Sequence, residues 1–140
     1  MKKKVTIIDY GAGNILSVFR AFEACSVTTE VTTDVNKIKN SSYLVLPGDG
    51  SFKFAARSLR KMGMFNSIGN HYKKGRPLMG ICLGLQLLFS KSYEFGQSEG
   101  LGIVGGEVIS FSKHITSEPI PHVGWNTVNN EISSDPNNNV

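Results

Sequence analysis

Apolar and polar positions follow two rhythms along this chain, and the switches between them mark its elements. Val5 to Ile8 is a short β-branched run, closed by Asp9 and then by Gly11 and Gly13, which predicts a buried strand ending in a turn. Asn14 follows as a helix cap, with Ile15, Val18, Phe19 and Phe22 at helical spacing behind it. Ser26 to Thr33 alternates β-branched residues, a second strand. A third covers Tyr43 to Leu46 and stops at Pro47 and Gly48. Positions 52–74 are helical in pieces, with a break at Gly63. Pro77 to Ile81 reads as a fourth strand, and Leu85 to Phe89 opens the next helix. After Gly100 the pattern turns β-like, at Ile103 and Val104 and again from Val108 to Phe111. The final stretch, Asn129 to Val140, is polar and turn-rich and reads as loop or disordered tail.

Strands alternating with helices predict an α/β fold with a mainly parallel sheet flanked by helices. Sites in such sheets lie at the carboxyl ends of the strands. The turns at Gly11–Gly13, Gly48–Gly50 and Gly80–Gly84 all follow strands, so all three fall on that edge. That convergence locates a candidate site before any motif is named.

Composition narrows the picture. With 140 residues, 40% of them hydrophobic, the chain can bury one core but not two. The net charge of +4 is local, from Lys2, Lys3 and Lys4, from Arg57, Arg60 and Lys61, and from Lys73, Lys74 and Arg76. No aromatic platform or zinc spacing accompanies these clusters, so they read as solvated or protein-docking surface, without nucleic acid as a partner. The run after the basic start is too short for a signal sequence, and no stretch is long enough to span a membrane. A cytoplasmic location is expected, and two cysteines make neither a disulfide framework nor a zinc site.

Cys82 carries the sharpest chemistry. Gly80-Ile81-Cys82-Leu83-Gly84 has the form of a nucleophile elbow with cysteine in place of serine. Glycines on both sides let strand and helix backbones approach closely, and a helix start favours a thiolate. The Leu83 N–H would face an oxyanion formed by attack on a carbonyl. The alternative is a small buried cysteine at a strand end, and that is the expectation for Cys25 at the close of an amphipathic helix. Pro47-Gly48-Asp49-Gly50 either completes an oxyanion hole or simply ends its strand. Gly11 and Gly13 invite a dinucleotide reading, but the third glycine of that fingerprint would fall at Leu16. Among the histidines, His71 and His114 read as surface residues. His122 reads as a loop anchor, with a base reaching Cys82 as the lesser alternative.

Taken in order, "IIDYGAGNILSV", "LPGDGSF", "GICLGLQLLF", "GLGIVGG" and "PHVGWN" resemble class I, triad-type glutamine amidotransferases. Within these the chain is most similar to glutaminase subunits of imidazole glycerol phosphate synthase. The resemblance covers the first 128 residues, leaving 129–140 as a polar tail, and implies a flavodoxin-like fold. It implies that Cys82 forms a glutamyl thioester, that Gln86 and Gly84 hold the substrate L-glutamine, and that Leu83, Gly48, Asp49 and Gly50 supply the oxyanion region. It further implies ammonia delivery to a (β/α)8-barrel cyclase subunit in histidine biosynthesis, with no metal and no organic cofactor.

Two departures stand out. The family usually carries an apolar residue where Asp49 stands. It also continues past "PHVGWN" to a His-Pro-Glu motif, whereas this sequence contains no His-x-Glu. The expectation is therefore a C-terminally truncated chain that is inactive alone. Two alternatives stay open here: an amidotransferase serving surface-sugar biosynthesis, and a non-catalytic remnant that docks on a barrel partner through its basic surface and Trp125.

Overall fold

A computed structural model describes residues 4–111, 119–120 and 124–127. His114, His122 and the 129–140 segment lie outside the described residues. The chain divides into a unit of residues 1–110 and a second of residues 111–140. In the second unit, Trp125 is fully exposed and Asn126 Oδ1 accepts the Thr127 N–H at 2.9 Å.

The elements of the first unit run β1 (Lys4–Ile8), α1 (Ile15–Ala24), β2 (Thr28–Thr32), α2 (Val35–Asn40), β3 (Tyr43–Leu46), α3 (Phe52–Lys61), α4 (Met64–Lys73), β4 (Leu78–Gly80) and α5 (Leu83–Leu88). They continue with β5 (Phe89–Ser92), β6 (Ser98–Glu99) and β7 (Val104–Val108). Four strands form a parallel sheet in the order β2-β1-β3-β4, as the α/β expectation required. A second, three-stranded sheet has the order β6-β5-β7, with β5 antiparallel to β6 and parallel to β7.

The central strands are apolar on both faces because both faces are covered. On one face Ile8, Leu44 and Leu46 pack with Ile38 of α2, Phe52, Ala55 and Leu59 of α3, Met64 and Ile68 of α4, and Leu83 and Leu87 of α5. On the other, Val5, Ile7 and Val45 meet Ile15, Val18, Phe19 and Phe22 of α1. Asn14 caps α1 as its position predicts, accepting the Ser17 N–H at 3.1 Å. Gly63 separates α3 from α4 in the left-handed region, at φ 69°.

Several expectations need correction. The helix α2 falls where no element was expected; Asp34 caps it by accepting the Asn36 N–H at 2.7 Å, and Ile38 anchors it in the core. The helix expected from Leu85 starts at Leu83, and the chain turns into β5 at Phe89. The strand expected at Val108–Phe111 ends at Val108, which belongs to β7.

His71 is buried, not on the surface. Met64, Ser67, Ile68 and His71 form the inward stripe of α4, so helical spacing outweighs the basic neighbours in sequence. Its Nε2 donates to Pro77 O at 2.9 Å, and Ser41 Oγ lies 3.3 Å from Nδ1. Burial, above all, lowers its pKa; the Pro77 hydrogen bond opposes the shift, while Arg76 and Lys74 add to it. Cys25 is likewise exposed rather than buried, because it caps the C-terminus of α1 instead of facing the sheet.

Candidate active site

Cys82 sits between the end of β4 and the start of α5, with φ 55° and ψ −118°. Such a conformation is strained for a residue with a side chain, and a sharp strand-to-helix turn imposes it. The sulfur-bearing residue is exposed while its neighbours Leu83 and Gly84 are buried. The turn is held by Ile81 N–H donating to Leu46 O at 3.0 Å, and by the Leu85 and Gln86 N–H groups donating to Cys82 O. Both flanking glycines are required by space. A Cβ on Gly84 would collide with the carbonyl of Leu46, and one on Gly80 would stand 2.6 Å from Leu85 Cα.

The other two glycine turns close on this elbow. A Cβ on Gly48 would lie 2.6 Å from Tyr10 Oη, 2.9 Å from Gly84 N and 3.0 Å from Leu83 Cβ. One on Gly13 would lie 3.1 Å from Gly48 N. The three turns that follow β1, β3 and β4 therefore touch in sequence, backbone against backbone.

Asp49 Oδ1 accepts the Gly13 N–H at 2.9 Å, so its carboxylate is engaged by the first turn. Gln86 is exposed on the first turn of α5, four residues beyond Cys82. The expected site residues Cys82, Leu83, Gly84, Gln86, Gly48, Asp49 and Gly50 thus lie on two adjacent turns.

Two residues at this edge escaped the sequence reading. Tyr10 is buried under the second turn and donates its hydroxyl to Pro47 O at 2.9 Å. Burial first, then the charges of Asp49 and Cys82, hold its phenol far above the usual tyrosine range, so it remains a donor. Glu94, from the loop after β5, accepts the Phe52 N–H at 2.7 Å and caps α3, which begins just after Gly50. Their partners lie 37 and 42 positions away in the chain, where local patterning carries no signal. His71 is the one histidine among the described residues, and both its ring nitrogens are taken up beside Ser41 and Pro77. The described residues hold no cluster of three or more metal-ligating side chains, and no described helix is long and apolar enough to cross a membrane.

An exposed thiol on a strained turn, whose following residues Leu83 and Gly84 abut Gly48 of the second turn, suits attack on a carbonyl carbon. The CobB/CobQ-like glutamine amidotransferase domain matches residues 4–133. The chain belongs to that family.

Its relatives sharpen the assignment. An imidazole glycerol phosphate synthase subunit HisH from Caldanaerobacter subterraneus subsp. tengcongensis is 48% identical over 124 residues, 89% of this chain and 60% of the relative. The HisH subunit of Carboxydothermus hydrogenoformans is 44% identical, covering 87% and 60%. This amidotransferase chain thus spans about 60% of the length of these curated relatives. Among solved structures, a glutamine amidotransferase superposes with a TM-score of 0.65 at 17% identity, covering 75% of this chain and 55% of that one. A protein described as a peptidase E from Listeria monocytogenes EGD-e gives 0.61 at 16%, covering 73% and 63%. At these identities the likeness is one of fold, and it is the flavodoxin-like α/β fold that the strand order displays.

Proposed function

We propose that this chain is the amidotransferase portion of an imidazole glycerol phosphate synthase, a subunit whose reaction is the hydrolysis of L-glutamine to glutamate and ammonia. The observation that carries the reading is Cys82: exposed and strained, on an elbow whose Leu83 and Gly84 abut Gly48 of the 47–50 turn. The Cys82 thiolate attacks the γ-carboxamide carbon of glutamine; the S–C bond forms and the carbonyl electron pair moves onto oxygen. Amides at Leu83 and along Gly48–Gly50 receive that oxyanion. Collapse breaks the C–N bond and the departing nitrogen takes its third proton from solvent to leave as ammonia; water then hydrolyses the thioester to glutamate and returns the thiol. Gln86 and Gly84 hold the substrate. The names of the HisH relatives support a synthase partner, and in this reading ammonia passes to a (β/α)8-barrel cyclase subunit in the cytoplasm. His71 is not the base for Cys82, since it is committed to Pro77 and Ser41.

The test is covalent labelling of the chain with a diazoketone analogue of glutamine, read by peptide mass spectrometry. Addition at Cys82, suppressed by excess glutamine and absent at Cys25, is expected. Equal labelling of both cysteines, or no protection by glutamine, would sink the reading.

A further inference from the structure

The 47–50 turn beside Cys82 is held from two sides by side chains that the proposed reaction leaves unassigned or assigns only through the backbone. From one side Tyr10 donates its buried hydroxyl to Pro47 O at 2.9 Å. From the other, Asp49 Oδ1 accepts the Gly13 N–H at 2.9 Å. Tyr10 is itself fixed, because its carbonyl accepts the Ser58 hydroxyl of α3 at 2.6 Å. A peptide group is planar and trans, so its N–H points opposite its C=O. Anchoring the Pro47 carbonyl on Tyr10 therefore sets where the Gly48 N–H points. The space around Gly48 excludes any side chain, with Tyr10 Oη, Gly84 N and Leu83 Cβ all at contact. The peptide cannot slide, but without the Tyr10 hydroxyl it can rotate.

We propose that Tyr10 and Asp49 are positioning residues: Tyr10 aims the Pro47–Gly48 peptide, and Asp49 locks the turn onto the Gly11–Gly13 turn. Together they present one backbone arrangement to Cys82. The catalytic consequence rests on the glutaminase reading, whereas the aim of the peptide stands on the two hydrogen bonds alone. Asp49 takes on a second meaning here. An acid beside an oxyanion site would oppose catalysis, but one engaged by the Gly13 amide serves as a clasp.

The experiment compares the ¹⁵N-labelled full chain with Y10F, D49N and D49A. Residual dipolar couplings report the direction of the Gly48 N–H bond. In Y10F that coupling is expected to change while those of β1 and β3 stay as in the parent. In D49A the Gly13 amide is expected to exchange faster with solvent, and in D49N, which keeps an acceptor oxygen, to stay protected. An unchanged Gly48 coupling in Y10F, or D49N exchanging like D49A, overturns the proposal.

The catalytic arm uses an aldehyde analogue of glutamine. Cys82 Sγ adds to its carbonyl carbon, the π pair moves to oxygen, and that oxygen takes up the thiol proton. This adduct needs the amides of the turn, whereas displacement of iodide from iodoacetamide does not. Y10F should weaken aldehyde binding by about tenfold to a hundredfold while leaving the iodoacetamide rate within about twofold. Equal losses for both reagents would mean general damage and overturn the positioning role. If the parent chain itself fails to bind the aldehyde, the glutaminase reading falls, and the dipolar couplings still decide whether Tyr10 aims the peptide.

Discussion

Cys25 and Cys82 are both exposed to solvent, and both lie at a helix end. The backbone under each is different. Cys25 closes α1 at φ −85°, and its N–H bonds back into the last turn of the helix. Cys82 opens α5 at φ 55°, between two glycines whose missing side chains let β3, β4 and α5 converge. Exposure alone therefore separates nothing here. What distinguishes the two thiols is how tightly the chain around one of them is constrained.

The largest expected effect comes from breaking that constraint. Gly84→Ala places a methyl group against the Leu46 carbonyl, and should cost about 2–3 kcal/mol of stability in denaturant titration. Cys25→Ala, at the relaxed site, should stay within about 0.5 kcal/mol. Matching costs for the two variants would erase the contrast.

Cys82→Gly tests the strain itself. Glycine adopts φ 55° without penalty, so this variant should be more stable by about 1 kcal/mol even as it loses the thiol. A less stable Cys82→Gly protein would mean that the turn at Cys82 stores no strain.

A gentler probe acts on the strand that delivers Cys82. His71 holds Pro77, just before β4, and its pKa is lowered in the folded state. Unfolded chains then bind a proton that the folded protein refuses, so stability is level above the ordinary histidine value of 6.5 and declines as pH falls below it. The melting midpoint should drop between about pH 8 and about pH 5.5, and less steeply in His71→Gln. A midpoint that holds or rises on acidification would refute the buried, neutral imidazole.

Legibility in the sequence followed how local each device is. Strands β1, β3 and β4 were readable because short apolar runs end at or near glycine or proline, and β2 because β-branched residues crowd it. The Cys82 turn was readable because Gly80 and Gly84 frame it at fixed spacing. By contrast, α2 has six residues and one core anchor, too few for a helical rhythm to emerge. Strand β5 hides behind the apolar end of α5, and its own sequence, Phe-Ser-Lys-Ser, is mostly polar. His71 was misread because charged neighbours in sequence masked its place on an inward helix face. Tyr10 and Glu94 act on residues far along the chain, a relation that only folding reveals.

Because the α-carbon of Gly84 rests against the carbonyl of Leu46, the spacing between α5 and β3 is set by an absence. Transplanting the cysteine motif alone into another α/β scaffold would leave that spacing to the host. A graft that moves residues 46–50 together with residues 80–86 carries its own gauge with it.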